Sequence, residues 1–181
     1  MVERQFRVLV GLTAVVSSAM YVLSDLIEWA QGGFSTSQLV LTYAAEATLP
    51  LFVLGIYAVQ RPHIGRLGFL GAALYAYTYI YFTGTVTYSL VERTPDWEAL
   101  AARMGVWLTV HGALMVVAGL CLGWAVARAG VLPRWVVYTL MAGVILVAVS
   151  NDLPDAARTV AACVRATAFV AMGISILRMR T

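Results

Sequence analysis

The stretch "VHGALMVVAGLCLGWAVARAGVLPRWVVYTLMAGVILVAV", residues 110–149, decides the fold. It is two apolar runs separated by "RAGVLPR", residues 128–134, a turn with Gly130, Pro133 and an arginine at each end. Glycine and proline stop helices, and arginine keeps to the water side of a bilayer, so the segment reads as a helical hairpin in lipid. Followed outward to residue 101 on one side and 152 on the other, each run matches the roughly 20 apolar residues that cross a hydrocarbon core.

The rest of the chain repeats this pattern. Six windows read as spans: about 6–29, 38–59, 65–91, 101–127, 134–152 and 157–177. Turn chemistry fills the breaks, as "QGGFSTS", "QRPHIG", "ERTPDWE", "RAGVLPR" and "NDLPD". The expected fold is therefore all-α, one polytopic membrane bundle of six transmembrane helices over residues 1–181. The amino-terminal "MVERQFRVLV" has the basic start of a signal peptide, but its apolar run continues to about Ala30 and reads as the first span.

Composition agrees. Of 181 residues, 61% are hydrophobic and 12% charged, where soluble domains carry about 25%. Mean hydropathy is +0.84. All twelve basic residues are arginine, which excludes any chemistry built on a lysine Schiff base. Cys121 and Cys163 sit in apolar runs without metal-like spacing and read as small core residues. The net charge of +3 comes from arginines flanking the spans and gives no sign of a nucleic-acid surface. No metal cluster or redox motif stands out, so no cofactor is expected.

Arginine placement orients the bundle. Arg4, Arg7, Arg61, Arg66, Arg128, Arg134, Arg178 and Arg180 flank one face, which is expected to be cytoplasmic together with both termini. Arg93, Arg103, Arg158 and Arg165 fall toward the other face. Of the acids only Glu3 belongs to the cytoplasmic side. Glu92, Asp96 and Glu98 read as solvated loop residues.

The remaining polar residues gather in the outer half. On the first helix Ser17, Tyr21, Ser24, Asp25 and Glu28 share a face, and lipid exposure of such a stripe is costly, so it is expected to face inward. The alternative for Asp25 and Glu28 is the headgroup zone, since Trp29 follows as an interfacial anchor. Glu46 lies near mid-membrane, one turn before Pro50, which removes a backbone donor and makes a break there. An acid at such depth is a candidate functional group, the alternative being a hydrogen-bonded structural one.

On the third helix, Tyr77 and Tyr81 share one face and Tyr75 and Tyr79 a neighbouring one. These tyrosines either line a ligand cavity or pack across the bundle. Arg103, Trp107 and His111 are spaced four apart and expected to stack along one side of the fourth helix, with His111 level with Glu46. Asn151, Asp152 and Arg158 mark the outer end of the last hairpin. Arg165, two turns deeper, is expected to need an acid partner, Glu46 or Asp25, in a pair that is either structural or functional.

Together these residues imply a polar cavity opening toward the outer leaflet. Glu46 and Asp25 are its candidate general acids and His111 the complementary base. Tyr21, Glu28, Tyr75, Tyr77, Tyr79, Tyr81, Trp107, Asn151, Asp152, Arg158 and Arg165 are the candidate substrate contacts.

The quoted hairpin, with its "R-x-G-x-L-P-R-W" turn, resembles that of small multi-pass bacterial membrane proteins. The resemblance implies a bacterial cytoplasmic membrane and no particular activity. Three functions stay open. The chain reads first as a binder of a membrane lipid or other lipophilic small molecule, with acid–base isomerase or cyclase chemistry. It reads second as a lipid- or pigment-binding subunit whose glycine faces, including Gly119/Gly123, dock in a homo-oligomer or larger membrane complex. A small proton-coupled carrier is the third, which the absence of an inverted repeat disfavours.

Overall fold

The computed structural model describes residues 2–150 and 153–179. Among these, seven helices form: α1 (Val2–Gln31), α2 (Thr36–Val59), α3 (Gly65–Glu92), α4 (Trp97–Met104), α5 (Val106–Ala129), α6 (Arg134–Val149) and α7 (Asp155–Arg178). Their ends follow local chemistry. Ser35 caps α2 by accepting the Gln38 amide at 3.3 Å, and Asp96 caps α4 by accepting the Ala99 amide at 2.8 Å. Pro133 and Pro154 immediately precede α6 and α7, and Gly130 closes α5 with a left-handed φ of 66°.

Four helices, α1, α2, α5 and α7, are both long and apolar enough to cross a membrane. At 28 residues α3 has the length, but its tyrosines, threonines and glycines dilute its hydropathy. The apolar α6 has 16 residues, about 24 Å of axis.

The expected helix over 101–127 is two helices. Gly105, with φ 55° and ψ −135°, ends α4 and starts α5 in a conformation that L side chains avoid. Arg103 therefore does not stack with Trp107 and His111. It reaches back to α3, donating to the Tyr88 hydroxyl at 3.3 Å beside Glu92 at 3.7 Å. The expected break at Pro50 is absent, since α2 runs through it.

The six long helices form a ring in the order α1, α2, α3, α5, α6, α7 and back to α1. Near the end that holds the chain termini, aromatic rings fill the middle. Phe52 of α2 meets Phe169 of α7 edge-on at 5.1 Å, and Phe169 also touches Tyr75 of α3. Small residues set the spacing there. A Cβ on Gly71 would lie 2.6 Å from the Leu122 backbone, and one on Gly143 would lie 2.7 Å from the Arg165 Cα. At the opposite end, which we call distal, the α1–α2 and α3–α4 connections meet through the Phe34 amide and the Pro95 carbonyl at 2.7 Å. Here the ring is not filled.

Candidate functional site

The distal hollow begins with a polar seam between α1 and α2. Gln38, Thr42 and Glu46 recur every four residues along α2, so they form a single stripe facing α1. The Gln38 side-chain amide donates to Ser24 at 3.1 Å, Thr42 at 3.1 Å and Glu28 at 3.3 Å. Ser24 and Thr42 also bond each other through their hydroxyls. The seam holds Glu28 at its outer end and leads down to Glu46 at its inner end.

Arg165 enters from α7. It is 5% exposed, and among the described residues no carboxylate oxygen lies within 4.0 Å of its guanidinium. Its charge is instead held over the rings of Tyr21 at 5.0 Å and Tyr79 at 6.0 Å, with one N–H on the Met115 sulfur at 3.8 Å. Flat aromatic faces attract a cation without bonding its edge donors. The expected ion pair with Glu46 or Asp25 does not form, although both acids are close enough to feel the charge. The tyrosine faces take the guanidinium away from them.

A cavity of about 540 Å³ lies in front of these groups. Tyr21, Asp25, Glu28, Glu46, Tyr79, Arg158 and Arg165, all singled out from the sequence, line it. Its other side is apolar, with Leu108, Met115 and Val116 of α5 and Val144, Val147 and Ala148 of α6. Thr109 and Ala113 of α5 also line it and are exposed residues. Across the distal end lies α4, contributing Trp97, Leu100 and Ala101. Arg158 ties α4 to α7 through Glu98 at 3.7 Å and the Trp97 ring at 5.9 Å.

Several polar atoms of this wall are buried without a hydrogen-bond partner: Glu46 Oε2, Gln38 Oε1, the Tyr79 hydroxyl and Ser89 Oγ. Each such group costs about 1–3 kcal/mol when left unsatisfied. No family model, curated protein or solved structure matches the chain. The chemistry of the site must therefore be read from its own residues.

Other sequence candidates lie elsewhere. His111 points to α3 and is absent from the cavity lining. Its ring stacks on Tyr81 at 3.5 Å. A carbonyl only accepts, so Nδ1–H donates to Trp107 O at 2.8 Å, and Nε2 pairs with the Tyr77 hydroxyl at 3.0 Å. Both nitrogens are used, and the expected pairing with Glu46 is not made. Tyr75 is fully buried in the aromatic core, and Tyr77 and Trp107 are largely exposed on the outer surface. Asn151 and Asp152 fall outside the described residues. Among the described residues, no three His, Cys, Asp or Glu side chains gather as metal ligands.

Sequence reasoning missed Gln38, Thr42, Ser89, Gly112 and the whole of α4. The first two had a readable signal, a polar residue every fourth position leading to Glu46. Gly112 had none; a Cβ there would meet nothing within 4 Å and would point into open space.

Proposed function

We propose that the chain is a six-span protein of the bacterial cytoplasmic membrane that holds a lipophilic small molecule in the distal cavity. In this reading α3 and α6 also span, bringing the four to six, both termini are cytoplasmic, and the cavity opens toward the outer leaflet. Support for the extra spans comes from their outward faces. Leu67, Phe69, Leu70 and Ile80 on α3, and Trp135, Ile145, Leu146 and Val149 on α6, are exposed large apolar residues suited to lipid. The orientation rests on the arginine asymmetry, and the bacterial membrane on the resemblance of the 110–149 hairpin.

The observation that carries the binding reading is the division of the cavity. Polar side chains of α1, α2 and α7, among them Asp25, Glu46 and Arg165, face an apolar wall of α5 and α6 across about 540 Å³, within the roughly 300–1,000 Å³ of small-molecule pockets. An amphiphile satisfies both sides. Any acid–base step on it falls to Asp25 and Glu46, because His111 is turned away. The subunit reading draws less support, since Gly119 and Gly123 are used inside the chain, against Val144 and Met141 of α6.

The test is native mass spectrometry of protein purified gently from its membrane, with extraction of what co-purifies. Gly112→Trp is the control, because the new ring enters the cavity without a backbone clash. One hydrophobic compound per chain, lost in Gly112→Trp, is the expected result. Equal retention by wild type and variant overturns the reading.

A further inference from the structure

Acidic groups outnumber arginines around the cavity, and the surplus names a ligand class. This inference rests on the binding reading above. Three acids and two arginines line the space. Arg158 is engaged by Glu98 and Trp97, and Glu28 accepts from Gln38. What remains facing the cavity is Asp25, Glu46 and Arg165: two carboxyl groups against one guanidinium.

The unpartnered atoms lean the same way. Glu46 Oε2 and Gln38 Oε1 are acceptors without a donor, on side chains 5% and 2% exposed. The Tyr79 and Ser89 hydroxyls, also without partners, can accept or donate. The one strong donor, Arg165, lies over the rings of Tyr21 and Tyr79 at 5.0 and 6.0 Å. An anionic head seated on Arg165 would sit beside two acids. A head that brings N–H donors and positive charge meets two acids.

We propose that the cavity binds a lipophilic amine, its protonated nitrogen held between Asp25 and Glu46 and its apolar body lying against α5 and α6. In this arrangement Arg165 is a positioning residue. It keeps a positive charge near the two acids from behind the tyrosine rings, and it leaves their open side to the ligand.

The experiment uses the full chain in phosphatidylcholine nanodiscs, titrated separately with dodecylamine, dodecyltrimethylammonium, dodecanoate and dodecanol. Binding is followed by native mass spectrometry and by tryptophan fluorescence, since Trp29 and Trp97 line the cavity. Dodecylamine is expected to bind saturably, one per chain, about tenfold or more tighter than dodecanol. Dodecyltrimethylammonium, having the charge without N–H donors, is expected between them. Glu46→Gln and Asp25→Asn, both near-isosteric, should each weaken the amine by about tenfold and leave dodecanol unchanged. Tighter binding of dodecanoate, lost in Arg165→Gln, overturns the amine assignment and leaves the binding reading standing. Amine and alcohol binding with equal affinity does the same. Absence of saturable binding by all four, with no compound lost in Gly112→Trp, overturns both.

Discussion

Arg165 and Glu46 line one cavity and are each 5% exposed, yet they do not form an ion pair. In a low-dielectric interior two opposite charges gain by closing on one another. Here the guanidinium lies over Tyr21 and Tyr79, and the space between arginine and acid stays open.

Tyr79→Phe isolates one member of this group. The hydroxyl is buried and meets no partner at hydrogen-bond geometry. Thermal unfolding of the ligand-free protein in detergent is expected to show no loss, and a gain of up to about 1–3 kcal/mol. Retention of the bound compound should fall. A large loss of stability with ligand retention intact would make the tyrosine part of the packing only.

His111→Ala should give the opposite pattern. It removes the stack on Tyr81 and two hydrogen bonds, a cost of about 2 kcal/mol. Ligand retention by the folded fraction should equal wild type. A loss of binding without a loss of stability would return the histidine to the site.

Glycine substitutions should separate packed from open positions. A Cβ at Gly143 meets the Arg165 backbone at 2.7 and 2.8 Å, so Gly143→Ala should destabilise by about 1–3 kcal/mol and disturb the arginine's position. A Cβ at Gly84, on α3, meets nothing within 4 Å, and Gly84→Ala should stabilise by about 0.5–1 kcal/mol. Unfolding in detergent series measures both.

The tie between α4 and α7 should be weak in stability. Glu98 is 75% exposed on its side chain, so Glu98→Gln is expected to cost less than about 1 kcal/mol, and less still at high salt. Faster proteolysis within the α3–α5 connection, slowed by bound ligand, is the expected signature of a loosened α4.

Much of the helical plan is legible because lipid leaves few alternatives to a helix, and runs such as 38–59 and 65–91 have only to be measured against a bilayer. Observed ends differ from the expected ones by a few residues. Gly105 escaped because the apolar pattern continues across it, and a positive φ leaves no mark on composition. The site was partly legible for a related reason. Spacing along one helix is a sequence property, so the stripe of Tyr21, Asp25 and Glu28 could be found. Which neighbour a side chain turns toward is not. His111 and Gly112 are adjacent in sequence and about 100° apart around α5, and that rotation sends one to α3 and leaves the other at the cavity. Likewise, the depth of Arg165 suggested an acid partner, and only packing revealed the two tyrosines that hold it.

The route by which a ligand reaches the cavity sets the units in which affinity should be reckoned. If the proposed lipophilic ligand reaches the cavity from the membrane, it comes from the leaflet and not from water. Its effective concentration is then a mole fraction among lipids. A compound scarce in solution but strongly partitioned can saturate a site of modest intrinsic affinity, and a water-soluble analogue with the same head can fail to fill it.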